Sequence, residues 1–266
     1  MLPLHFFRQR DFTGAVVVIG LIMFGMFVTF FFLTQFFQIV QGRSALQAGV
    51  LIIPTAAAMM VSAPLAGTAV RKVGPRVLVL ASTAAMVGGV LLLTQLTPDS
   101  STFAVVGPLM LFGLGGGLGL APLTDTVMAA VPVADAGIGS AVNDVSRELG
   151  GALGIATIGS VVNGFYRANF SDAIGDALPA EVAELAGEGV GVAAAVAQTL
   201  PAEAAASLMA TANTAFVDAM TSGFFVSAAF LALAAVAALT LIPKQMRRAQ
   251  QGEVLELIDD EFAPAA

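Results

Sequence analysis

Charge is what this 266-residue chain has least of: only 11% of its residues are Asp, Glu, Lys or Arg. Ordinary soluble domains carry about 25%. Hydrophobic residues make up 58%, and the mean hydropathy is +0.90. So little charge cannot cover a water-facing surface, so most of the chain must face lipid or itself. Cysteine is absent, which excludes disulfides and thiolate metal sites. The single histidine, His5, excludes a multi-histidine metal site, and no cofactor is expected. There is no nucleophile–histidine arrangement, phosphate loop or metal-ligand cluster, so an enzyme is not expected. The net charge of −7 argues against nucleic acid as a partner. Tryptophan is absent and Tyr166 is the one tyrosine, so the usual Trp/Tyr interface belt is missing and 19 phenylalanines must serve instead.

Long uncharged runs are present. A span of the hydrocarbon core needs about 20 apolar residues. Hydropathy predicts six spans: Phe12–Gln38, Ser44–Val70, Val77–Leu96, Phe103–Val131, Gly137–Tyr166 and Asp218–Ile242. Pro54 and Pro64 lie inside the second, where membrane helices tolerate them if neighbours compensate. Residues 167–217 differ in kind: they hold Asp172, Asp176, Glu181, Glu184, Glu188 and Glu203 with one base, Arg167. Their apolar run from Val190 to Leu200 is too short to span, so the region reads as a solvated loop with one or two short helices. The expected organisation is five spans within 1–166, an acidic extracytoplasmic loop over 167–217, a sixth span over 218–243 and a cytoplasmic tail over 244–266.

Six spans put both termini on one side. Arg8, Arg10, Arg71, Lys72, Arg76, Lys244, Arg247 and Arg248 then share that side, against Arg43 and Arg167 on the other. The positive-inside bias makes the first side cytoplasmic. The connector between spans one and two is then outside and that between four and five inside. This relation predicts an all-α integral membrane protein whose single bundle is built from two inverted three-helix repeats.

Asp125, Asp144, Arg147 and Glu148 fall in or beside spans. An ionisable group inside a membrane is costly and marks a functional site by default. Asp144 and Glu148 are four apart and share a helix face, and Arg147, three after Asp144, is placed to pair with it. Two readings stand. Leu149–Tyr166 alone is an uncharged helix of about 27 Å, which leaves the three charges at the interface as a bracing cluster. A helix starting at Gly137 instead places Asp144 about 10 Å inside, where a carboxylate can exchange protons. Asp125 serves transport or a helix end. Gln35, Gln38 and Asn143 line a cavity or bond between helices. Gly113 and Gly117, and Gly150 and Gly154, are spaced by four and form small packing faces.

The motifs resemble a known family. Ser44-x-Leu46-x-Ala48-Gly49 followed by Pro54, the basic stretch Gly67–Arg76, Ala121-Pro122-Leu123-Thr124-Asp125, and Gly139-Ser140-Ala141-Val142-Asn143-Asp144 with Arg147-Glu148-Leu149-Gly150-Gly151 are similar to the major facilitator superfamily, in its fourteen-helix drug:proton antiporter branch. The basic stretch departs from the pattern, with Arg71 where that branch has an acid. The resemblance covers the chain but only the C-terminal six-helix half of the family. It implies proton-coupled export of small amphipathic compounds across a bacterial inner membrane, with an acid near Asp144 handling proton or substrate. It implies as partners the lipid bilayer, a small-molecule substrate, protons, and an N-terminal bundle or second copy. A half-transporter acting as a dimer, or a non-transporting scaffold or regulatory subunit, is the alternative expectation.

Overall fold

The computed structural model of the chain describes residues 4–175 and 179–242. Helix α1 (Arg10–Gln35) runs into a π-helical turn, Phe36–Val40. There follow α2 (Ala45–Val73), α3 (Pro75–Leu93), α4 (Thr102–Ala129), α5 (Ala136–Ile174), the short α6 (Ala180–Ala186) and α7 (Val190–Ala197), and α8 (Ala202–Leu241). Among the described residues there is no strand, and six helices, α1 to α5 and α8, are long and apolar enough to cross a membrane. The expected tail 244–266, with Lys244, Arg247 and Arg248, lies outside the described residues.

Local chemistry sets the helix ends. Ser44 caps α2 reciprocally with Gln47: the Gln47 N–H donates to Ser44 Oγ at 3.3 Å, and the Ser44 N–H donates to Gln47 Oε1 at 3.0 Å. Gly74, at φ +83°, reverses the chain before Pro75 opens α3. The helices outrun the hydropathy at one end. α5 continues through Arg167 and Asp172 to Ile174, and α8 begins at Ala202, 16 residues before Asp218. Hydropathy marks where a helix crosses lipid, not where it stops. Alanine-rich 202–212 favours helix in water, and Leu208 and Ala212 are buried.

The bundle repeats one packing scheme twice. α4 packs against α2 and α3, α1 against α5 and α8, and α3 against α8. Exchanging α1 with α4, α2 with α5 and α3 with α8 maps these pairs onto themselves, as two inverted three-helix repeats require; α5 also packs on α8, far more than its counterpart α2 packs on α3. The close contacts repeat as well. A Cβ on Gly117 of α4 would lie 2.6 Å from the Met59 carbonyl of α2, and one on Gly154 of α5 would lie 2.8 Å from the Phe24 carbonyl of α1. Gly113 meets Thr55, and Gly150 meets the Gly20 backbone, in the same way. These small faces let backbones approach where lipid offers no hydrophobic drive between helices.

The connectors group at two ends. Gln41 Nε2 donates to the Ser100 carbonyl at 2.9 Å and Arg43 Nη2 to Thr102 Oγ1 at 3.2 Å, so the α1–α2 and α3–α4 connectors share one end. At the other, Arg76 Nε donates to the Ile242 carbonyl at 2.7 Å, which brings the end of α8 beside the start of α3. We call this the basic end, since Arg8, Arg10, Arg71 and Lys72 are exposed there. The opposite end carries α6 and α7 with Glu181, Glu184 and Glu188 and is the acidic end.

Candidate functional site

Helix α5 starts at Ala136, so Asp144 lies eight residues, about 12 Å, along it. α1 supplies a ruler for depth. It is uncharged from Phe12 to Gln35, and Gly20, eight residues into that run, packs against Ser146 and Gly150. Glu148, midway between Ser146 and Gly150, therefore sits about 12 Å along the uncharged run of α1, and Asp144, four residues nearer the basic end, about 6 Å along it. The second of the two sequence readings takes α5 to begin at Gly137, and the helix begins one residue earlier, at Ala136.

Exposure divides these residues. Asp144 and Glu148 are exposed on the bundle surface, Arg147 is half-buried, and Asn143 is buried at 6% exposure. A chain of hydrogen bonds joins three of the four to α4. Arg147 Nη2 donates to Thr124 Oγ1 at 3.0 Å. Thr124 Oγ1 donates to Asn143 Oδ1 at 3.4 Å, and Asn143 Nδ2 donates to Asp144 Oδ1 at 3.4 Å. Arg147 Nε is buried without a partner. The helix spacing predicts a pairing of Arg147 with Asp144. Among the described residues the guanidinium makes no such pair and turns to Thr124 instead. Asp125, the residue after Thr124, is exposed and stands outside this chain.

The face that carries the acids leads towards the acidic end. Asp144, Glu148, Ala152, Ile155 and Gly159 recur at helical spacing along α5. Opposite them on α1, Phe27 packs on Gly151, and Phe31 and Gln35 follow at intervals of four. The groove between opens into a cavity of about 620 Å³ and a smaller one of about 380 Å³, and Phe31, Gln35 and Ile155 line both. The larger is also lined by Asn163, Tyr166 and Phe216 and is bounded at the acidic end by Glu188 to Val192. Tyr166 holds that boundary in place: its buried hydroxyl donates to the Ala186 carbonyl of α6 at 3.0 Å.

Of the cavity residues expected from sequence, Gln35 lines the groove, Asn143 belongs to the hydrogen-bonded chain, and Gln38 is exposed in the π turn away from both cavities. Gly113, Gly117, Gly150 and Gly154 all lie at helix contacts. Thr124, Tyr166 and Glu188 were not singled out from the sequence. A threonine in an apolar helix carries no charge or hydropathy signal, and only its place in the Pro122-Leu123-Thr124-Asp125 motif marked it.

Comparison with known proteins bears on the whole arrangement. Residues 2–155 match the family model described as Major Facilitator Superfamily. The chain is 33% identical over 237 residues to the multidrug efflux pump LfrA of Mycolicibacterium smegmatis, covering 89% of this chain and 46% of that protein. It is 33% identical over 179 residues to the multidrug resistance protein Stp of Mycobacterium tuberculosis, covering 67% of this chain and 33% of that protein. The chain thus spans less than half the length of these curated relatives. In fold it matches the crystal structure of a bacterial homolog to the human lysosomal transporter Spinster, in an inward-facing, unoccupied conformation. There the TM-score is 0.61 at 16% identity, over 92% of this chain and 51% of that one.

Proposed function

The chain belongs to the major facilitator superfamily, in its drug:proton antiporter family, and we propose that it serves there as the C-terminal bundle of an exporter that trades protons for small amphipathic compounds. One observation carries this reading. Asp144 and Glu148 are exposed on the bundle surface beside the uncharged run of α1, Glu148 at the level of Gly20 and Asp144 one turn nearer the basic end. A charge facing lipid costs about 2.5–3.5 kcal/mol or more at the centre of a span and less towards its end. Two on one face are tolerated only where water or another bundle covers them. In carriers of this build, substrate sits near the midplane between two bundles that rock against each other.

In this reading Asp144 is the acid that exchanges protons, and Glu148, one turn on, lies along the same path. Arg147 and Asn143 set the surroundings of Asp144, and Asp125 lies at the basic-end mouth. Phe31 and Gln35 offer an apolar and a polar contact to a compound in the groove. The covering wall is an N-terminal bundle of the same transporter or a second copy of the chain. The basic end faces the cytoplasm of a bacterial cell by the positive-inside bias.

Export of a fluorescent amphipathic cation, ethidium, from cells overproducing the intact transporter tests this. Collapse of the proton gradient by a protonophore is expected to stop export. Export that continues at its full rate after collapse contradicts the reading.

A further inference from the structure

Arg147 stands three residues after Asp144, a spacing that lets a guanidinium reach a carboxylate on the same helix. A charge-assisted pair is about twice as strong as a neutral hydrogen bond. The guanidinium nonetheless points at a neutral hydroxyl on the neighbouring helix, with Nη2 3.0 Å from Thr124 Oγ1. Thr124 sends its one proton to Asn143 Oδ1 at 3.4 Å, which leaves its lone pairs for Arg147. With its oxygen so engaged, the Asn143 amide presents Nδ2 to Asp144 Oδ1 at 3.4 Å. Among the described residues these are the side-chain hydrogen bonds that join α4 to α5, two helices that otherwise touch little.

We propose that Thr124 is a positioning residue for Asp144: it parks the Arg147 guanidinium on α4 and turns Asn143 onto the carboxylate, so that Asp144 stays free of an ion pair and exposed on the bundle surface. The inference rests on the reading of Asp144 as the carrier's acid and adds to it the residue that keeps that acid available. Competing charge is scarce around this part of α5. α1 carries none after Asp11, α8 none after Asp218 within the described residues, and α4 brings Asp125, which is exposed. On α5 itself Glu148 adjoins Arg147. Removing the hydroxyl releases both of its partners at once. The guanidinium, with Nε already unpartnered, is then drawn to the carboxylates beside it.

The test is ethidium export by the intact transporter, with the amount of each variant in the membrane measured alongside. Thr124→Val is expected to lower the maximal rate about fivefold or more with KM changed less than about twofold, the pattern of a lost step rather than lost binding. Thr124→Ser, which keeps the hydroxyl, is expected to retain about half the rate or more. Adding Arg147→Gln to Thr124→Val removes the group that closes on Asp144, and is expected to raise the rate about threefold over Thr124→Val alone. If Thr124→Val does not reach the membrane, Thr124→Ala carries the same expectations. The proposal is overturned by a Thr124→Val protein that exports at the wild-type rate, by a Thr124→Ser protein as slow as Thr124→Val, or by a double variant no faster than Thr124→Val. A wild-type protein that does not export removes the transport reading and this inference with it.

Discussion

The Ser82 hydroxyl of α3 donates to the Gly115 carbonyl of α4 at 2.6 Å. Its counterpart under the exchange of repeats is Ser227 of α8, which donates to the Gly25 carbonyl of α1 at 3.2 Å. Both serines are fully buried. Each half of the bundle thus ties its third helix to the first helix of the other half by a serine bonded to a glycine carbonyl. Interhelical bonds of this kind in membranes contribute about 0.6 kcal/mol on average and up to about 1.7. Ser82→Ala and Ser227→Ala are each expected to lower unfolding stability in detergent by about 0.5–1.5 kcal/mol. Equal stability of both variants and the wild type would show that the bonds are incidental.

Glycine spacing alone does not distinguish packing glycines from spare ones, but the contacts do. Gly117 lies against Ser62 and the Met59 carbonyl, whereas Gly164 has open space where a Cβ would go. Gly117→Ala is expected to cost about 1–3 kcal/mol, because backbone cannot step aside. Gly164→Ala is expected to be neutral or to stabilise by up to about 1 kcal/mol through helix propensity. Thermal unfolding of the two single variants measures the contrast, and a harmless Gly117→Ala would place α2 and α4 further apart than described.

Tyr166 joins the acidic-end helices to the bundle. Its ring stacks on Phe170 with centroids 5.7 Å apart, and its hydroxyl reaches Ala186. Tyr166→Phe keeps the ring and removes only the bond, worth about 0.5–1.5 kcal/mol. Amide exchange in α6 is expected to accelerate about threefold to tenfold, while exchange in α1 and α4 stays as in the wild type. Unchanged exchange in α6 would assign its hold to packing rather than to the hydroxyl.

Orientation is open to a direct labelling experiment, since the chain has no cysteine of its own. Asp99 lies in the connector that bonds to Gln41 and Arg43, and Val73 lies at the basic end; both are exposed. In a cysteine-free transporter, Asp99→Cys is expected to react with a membrane-impermeant maleimide on whole cells, and Val73→Cys only after permeabilisation. The reverse pattern would invert the assigned topology.

Much of the fold is legible in the residues. Uncharged runs such as Phe12–Gln35 and Leu149–Tyr166 fix the crossings, and the spacing of Gly113 and Gly117 and of Gly150 and Gly154 marks the contacts. The full length of α5 and α8 is not legible from hydropathy, because Arg167, Asp172 and Asp218 interrupt it without breaking the helix. The partner of Arg147 was hidden for another reason. Spacing along one helix favours Asp144, but the choice is made by Thr124, 23 residues earlier in the chain on a different helix. The level of Asp144 and Glu148 along the bundle likewise is read from their neighbours on α1, since α5 alone fits more than one placement.

The most direct measurement is proton-driven ethidium export by the intact transporter carrying Asp144→Asn, which removes the titratable proton and keeps the size of the side chain. Export is expected to fall about 100-fold or more, to the level of cells without the transporter, with the variant present in the membrane in normal amount. Export at the wild-type rate that still collapses with the proton gradient would contradict the assignment of Asp144 as the proton-exchanging acid.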